Sequence, residues 1–196
     1  MRRFFFAAAV AAAAFAAVPA SASTNTLVQF DPLTMRVLKP ARVATQRPDV
    51  TRIPREIVDY AGPYAPGTIV VDTNERRLYY VMEGGVAMRY GIGVARPGFE
   101  WSGIHKISQK REWPGWTPPE EMKQRQPGLP DYMPGGIDNP LGARAMYIGS
   151  TIYRIHGSNQ PASIGQAMSS GCIRMLNEDA VDLYDRVKIG TQVVVL

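Results

Sequence analysis

Two residue types in this chain could form a nucleophile and its base. The sequence of 196 residues has one cysteine and two histidines. Cys172 lies in Ser169-Ser170-Gly171-Cys172-Ile173-Arg174-Met175, sixteen residues after the histidine of Ile155-His156-Gly157-Ser158-Asn159. A thiol reacts as its thiolate, and a neutral imidazole within hydrogen-bond reach supplies both the base and an ion-pair partner. Gly157 and Gly171 let backbone approach a substrate closely. Peptide N–H groups around Gly171 and Cys172 could bind an oxyanion as an attacked carbonyl becomes tetrahedral. A lone cysteine is, however, commonly a small buried apolar residue and a lone histidine a satisfied structural one. On composition and spacing alone the structural reading is the stronger of the two. The adjacent glycines and an export signature move weight towards chemistry without deciding it.

The elements that must position this pair are mostly β. Thr68–Asp72, Leu78–Met82 and Val86–Val94 are runs of β-branched and aromatic residues separated by the turn residues Thr73-Asn74-Glu75-Arg76 and Glu83-Gly84-Gly85, which predicts three consecutive antiparallel strands. Ile104–Lys110 alternates with period two, Ala145–Ile148 and Tyr153–His156 flank Gly149-Ser150, and Thr191–Leu196 is a further β-like run. The count fits a β-sandwich or barrel. One helix is expected after the cysteine, with Asn177 as its cap, Glu178 and Asp179 in its first turn, Ala180, Leu183, Tyr184 and Val187 on one face, and Gly190 beyond its end. Arg111 to Gly142 is a long irregular segment holding seven of the sixteen prolines together with Trp113, Trp116, Tyr132 and Met133. Segments of this kind inside a domain commonly form lids or binding walls. His105 sits within the alternating run and reads as structural, since a metal site would need further ligands that no cluster supplies.

Composition narrows the class. Apolar residues make up 45%, with 18 Gly and 16 Pro, a turn-rich folded chain rather than a low-complexity one. Met1-Arg2-Arg3, the apolar run Phe4 to Val18 and Ala20-Ser21-Ala22 form the pattern of a secretory signal over residues 1–22, with a mature chain starting at Ser23. The apolar run is shorter than the ~20 residues a bilayer span needs. Loss of Arg2 and Arg3 takes the formal charge from +5 to +3, too small and too scattered an excess for nucleic-acid binding. Export would make Cys172 a free thiol outside the cytoplasm. Residues 23–64, with Pro32, Pro40, Pro48, Pro54 and Pro63, read as an arm or linker of which Leu27–Phe30 and Arg55–Tyr60 could dock on the domain formed by residues 65–196.

The chain resembles the L,D-transpeptidase catalytic domain, also called the YkuD domain, of bacterial cell-wall enzymes. The resemblance rests on Ile155–Asn159, Ser163-Ile164-Gly165 and Ser169–Met175 in that order, and extends through Gly67–Asp72, Ile104–Ser108, Trp116-Thr117-Pro118-Pro119, Asn139-Pro140-Leu141-Gly142 and Gly190–Val193. It implies a mainly β, sandwich-like fold with one short helix after the cysteine loop. It also implies that Cys172 is the nucleophile, His156 the general base, and the Gly157 carbonyl the group that orients the imidazole. Arg174, Ser169, Ser170, Gly171 and Trp116 would contact substrate, with a structural salt bridge the competing role for Arg174. The implied reaction is formation of an acyl-enzyme from the tetrapeptide stems of peptidoglycan and transfer to an amine, giving a 3→3 cross-link in the periplasm or cell envelope. It needs no metal or organic cofactor, and carbapenems would acylate Cys172. Water or the amine of an envelope protein are alternative acceptors, and a non-catalytic wall-binding module is a third reading. A papain-like protease fits poorly, because its nucleophile comes early and opens a long helix. Two departures stand out: many relatives have a second histidine where this chain has Ser170, and a Thr-Pro-x-Gly turn where it has Glu100-Trp101-Ser102-Gly103.

Overall fold

The computed structural model describes residues 53–196. The expected signal segment, residues 1–22, and most of the expected arm lie outside the described residues. From Pro66 onward the β-branched and aromatic runs become strands, as pleated, half-buried surfaces favour those side chains. In chain order the elements are β1 (Glu56–Asp59), β2 (Ile69–Asp72), β3 (Arg77–Met82), β4 (Val86–Gly91), β5 (Val94–Ala95), β6 (Gly103–Glu112), α1 (Glu120–Arg125), β7 (Arg144–Ile148), β8 (Arg154–His156), β9 (Ala167–Ser169), β10 (Ile173–Arg174), α2 (Asn177–Arg186) and β11 (Gln192–Val195), with a single 3₁₀ turn at Pro161–Ser163. Nine strands form a sheet in the order β1-β4-β3-β2-β11-β6-β7-β8-β10, and β5 pairs with β9 apart from it. The fold is of the mainly β class that the sequence predicts.

The two halves of the sheet are built differently. On one side β2, β3 and β4 form an antiparallel meander whose second turn has both Gly84 and Gly85 at positive φ, a conformation that favours glycine. On the other side β7 and β8 follow β6, and β10 closes the edge in parallel with β8. Strand β11 joins the halves, parallel to β2 and antiparallel to β6. Strand β6 serves both: Gly103–Lys106 pairs with β11 and Ile107–Glu112 with β7, with a register shift between Ile107 and Gln109. Irregularities of this kind bend a strand.

Side chains from both halves meet in one core, with Ile69, Val71, Leu78, Tyr90, Ile107, Met146, Ile148, Ile155, Met175 and Val193 fully or almost fully buried. Helix α2 contributes Ala180, Leu183 and, just beyond its end, Val187. Its C-terminal carbonyls are met by a strand: the Lys110 ammonium donates to Tyr184 O at 2.6 Å and Val187 O at 2.7 Å, where a cation also suits the negative end of the helix dipole.

Arg55–Tyr60, a piece of the arm read as able to dock on the domain, contains β1, which pairs with β4. Three local expectations change. The run Val86–Val94 does not continue as one strand, because Ile92-Gly93 turns away to bridge Arg174. Gly93 N donates to Arg174 O and Arg174 N to Gly93 O, both at 2.9 Å; a side chain at 93 would collide with the Ser163 carbonyl. The long insertion starts later than Arg111, since β6 runs to Glu112, and it contains the second helix α1, whose Glu-Glu-Met-Lys-Gln-Arg sequence has no apolar stripe. Asn177 does not cap α2. The cap position is Leu176, and Asn177 is the first helical residue.

Candidate active site

His156 closes β8 and is pinned from three directions. Its carbonyl accepts from Met175 N at 2.8 Å, the next amide, Gly157 N, donates to Arg144 O at 2.9 Å, and its Nδ1 lies 2.5 Å from Gly157 O. A carbonyl only accepts, so Nδ1 carries the proton and Nε2 is the unprotonated nitrogen of the neutral ring. The ring is only 3% exposed. Burial lowers its pKa from 6.5 to about 4; the Gly157 carbonyl opposes this, and the positive charges of Arg174 and Arg154 add to it. At neutral pH the imidazole is therefore uncharged.

Asn177 explains why glycine stands at 157. Its Oδ1 accepts from Ala143 N at 2.9 Å and Ser158 N at 3.2 Å. A Cβ at Gly157 or Gly142 would lie 2.2 Å from that same oxygen. The side chain thus ties the start of α2 to the segments before β7 and after β8. It is a residue that fits the pattern of a helix cap so well that its tertiary role was invisible in the sequence.

The cysteine loop is held with comparable care. Ser169 Oγ donates to Cys172 O at 2.6 Å and accepts from Gly171 N at 3.2 Å. Trp101 Nε1 donates to Gly171 O at 2.7 Å, while its ring stacks on Tyr153 at 4.5 Å with an 11° interplanar angle. His105 meets the Trp101 ring edge-on at 5.5 Å, a structural position. Gly171 has φ of +110°, and a Cβ there would strike the Tyr153 ring at 2.2 Å. The peptide linking Gly171 to Cys172 is planar and trans, so fixing its carbonyl towards Trp101 aims the Cys172 N–H the opposite way. Of the two amides expected as oxyanion donors, Gly171 N–H is already engaged by Ser169, which leaves Cys172 N–H.

Cys172 and His156 line one cavity of about 350 Å³, together with Ser169, Ser170, Arg174 and, from the insertion, Trp116. Gly171 is buried and does not line it; it borders a separate cavity behind the loop with Trp101. Trp116 is held by a two-way backbone bridge to Met133, with both hydrogen bonds at 2.8 Å. Arg174 forms no ion pair among the described residues, so the salt bridge expected as its competing role is not found there. Burial lowers its pKa and the Cys172 thiol counteracts this. Sequence reasoning missed Tyr153, Arg154 and Pro118 in the cavity lining and Trp101 behind it; the Glu100–Gly103 departure was the available signal for the last. Among the described residues no three His, Cys, Asp or Glu side chains converge as a metal site, and no helix is long and apolar enough to cross a membrane.

The model of the YkuD family, the L,D-transpeptidase catalytic domain, matches residues 66–195. The chain belongs to this family. The "Probable L,D-transpeptidase ErfK/SrfK" of Escherichia coli K12 is 39% identical over 137 residues, covering 65% of this chain and 43% of that protein. The chain thus spans less than half the length of that relative. A solved structure from Brucella melitensis, named a probable carnitine operon oxidoreductase caia, is 49% identical and covers 74% of this chain and 94% of its own, with a TM-score of 0.50. The Enterococcus faecium L,D-transpeptidase C442S mutant shares the fold at a TM-score of 0.51 and 21% identity, over 67% of this chain and 50% of that one.

Proposed function

We propose that the protein is an exported peptidoglycan L,D-transpeptidase of the cell envelope with Cys172 as nucleophile. The observation that carries this reading is the imidazole of His156, locked by Gly157 O in the tautomer that presents a basic nitrogen, in the cavity that also holds the chain's single thiol. In the first step Nε2 takes the thiol proton and Sγ bonds to the carbonyl carbon at the L-centre of the third stem residue. The oxyanion is met by the Cys172 N–H. As the C–N bond breaks, His156 returns the proton to the departing D-Ala amine and a thioester remains. In the second step an amine of a neighbouring stem attacks the thioester, His156 takes its proton, and the thiolate leaves to be reprotonated. One amide is exchanged for another, without a cofactor. Carbapenems would acylate the same sulfur.

The test is mass spectrometry of the purified protein and its Cys172→Ala variant with disaccharide tetrapeptides bearing a diamino acid. Cys172-dependent loss of D-Ala together with a cross-linked dimer is expected. Tripeptide alone would point to hydrolysis, or to an envelope protein as the acceptor. Absence of both product and thioester from folded protein would overturn the reading.

A further inference from the structure

A second cavity, of about 340 Å³, adjoins the one that holds the thiol. Ser170, Arg174, Trp116, Met122 and Pro140 line both, so the two are arms of one groove divided at Arg174. Their chemistry differs. The thiol arm is walled largely by apolar residues such as Pro118, Leu141, Ile152 and Tyr153, with Arg154 its one arginine besides the shared Arg174, whereas the second arm adds Arg96 and Arg125 to Arg174 against one exposed carboxylate, Asp138.

The arginines converge from separate parts of the chain. Arg96 follows β5 and its guanidinium lies 4.1 Å over the Phe99 ring; Arg125 ends α1 and lies 5.7 Å from the same ring. One aromatic ring thus assembles two like charges, an arrangement cation–π attraction makes possible. Arg55, Arg89, Arg144 and Arg186 are matched with carboxylates, whereas Arg76, Arg77, Arg111 and Arg154, like Arg96, Arg125 and Arg174, have no such partner among the described residues. What sets the last three apart is that they line one cavity together. Mutual repulsion of unpaired charges grows as a ligand displaces water and lowers the local dielectric, unless that ligand is an anion. Planar guanidinium forks match carboxylates in two-point, charge-assisted hydrogen bonds.

We propose that Arg96, Arg125 and Arg174 form a carboxylate-reading arm that recognises the free acid groups of a peptide stem beside the reacting bond, so that the protein selects stems with free carboxylates over amidated ones. This rests on the acyl-transfer reading above and adds the substrate class to it. The experiment compares two tetrapeptides that both end in D-Ala. One has free carboxylates on its second and third residues, the other carboxamides at both positions. For the wild type, kcat/KM favours the free acid by tenfold or more. In the Arg96→Gln/Arg125→Gln protein, shown by its thermal melt to be folded, the ratio falls to within about twofold, and Arg96→Lys/Arg125→Lys restores part of it. A wild type that does not discriminate, or a ratio unchanged in the double variant, overturns the proposal. Should neither peptide be turned over, the transpeptidase reading fails separately, and calorimetric binding to the Cys172→Ala protein decides this one. Tenfold tighter binding of the free acid, lost with Arg96 and Arg125, upholds it; equal or absent binding of both peptides overturns it.

Discussion

The groove has two walls of opposite construction. The wall carrying Cys172, His156 and Arg174 belongs to the sheet: β8 and β10 are paired, Gly93 bridges to Arg174, and Ser169, Trp101, Tyr153 and Asn177 immobilise the loops between. The facing wall comes from the insertion after β6, where Trp116, Pro119, Met122 and Arg125 sit on a short helix and one backbone bridge, and no residue of α1 is buried. Reaction geometry tolerates displacements well below an ångström, whereas peptide recognition tolerates adjustment. Under the proposed function, rigid chemistry on one side and adaptable selection on the other would follow from which wall has ladder hydrogen bonds and a core behind it.

The comparison can be broken at five points. The largest effect belongs to the sheet wall: Cys172→Ala should abolish D-Ala release and His156→Gln should lower kcat by on the order of 10³, read as single-turnover acylation. An insertion-wall variant with an equal kcat defect would erase the distinction. Next, His156 should make stability pH-dependent. Its folded pKa lies below its unfolded value, so its contribution is complete above pH 6.5 and is lost as pH falls towards 4, up to about 3 kcal/mol. Asp179, which burial raises from 3.8 to about 6, acts in the opposite sense. Its contribution is complete below pH 3.8 and declines as pH rises to 6. The difference in melting temperature between wild type and His156→Gln across pH 4 to 7 isolates the histidine; a pH-independent difference would contradict the burial.

Asn177→Ala leaves Ala143 N and Ser158 N without their acceptor and should cost about 2 kcal/mol in denaturant unfolding, while Asn177→Asp keeps the oxygen and most of the stability. Equal losses in both would mean that the oxygen is not what matters. Trp101→Phe preserves the stack on Tyr153 but removes the indole N–H, so kcat should drop about tenfold with little change in KM. An unchanged kcat would show that the Gly171 carbonyl needs no anchor. The smallest effect is expected opposite: Trp116→Ala should raise KM several-fold and leave the alkylation rate of Cys172 by iodoacetamide near that of the wild type. A slowed alkylation would join the two walls into one unit.

That Cys172 and His156 belong to one cavity was legible in the sequence because each lies in a short, distinctive motif, and the strands from β2 to β4 because each is long enough to show its own pattern. What escaped notice is short or reciprocal. Strands β5, β9 and β10 have two or three residues each, too few for a period, and exist through partners far along the chain. Arg96 and Arg125 are unremarkable singly; only Phe99 brings them together. Trp101 was conspicuous as a departure, but its hydrogen bond to Gly171 crosses seventy residues, a relation no local pattern contains. Asn177 was noticed for a local role that its tertiary bonds override.

Strand β11 sets the order in which this molecule can assemble. It is the sole link between β2 and β6 in the sheet, and its partners Ile69 to Val71 lie at the other end of the described fold. The meander can form early from neighbouring residues, and so can the β6–β7–β8 run, but the shared core that buries Val193 and Val195 with Ile69 and Val71 closes only when the two are bridged. Such non-local closure slows folding, because loop entropy is lost before the contacts that compensate for it form. Until β11 is seated, β2 and β6 each present an unpaired edge. That interval is when the chain is most open to aggregation, proteolysis or capture by a chaperone.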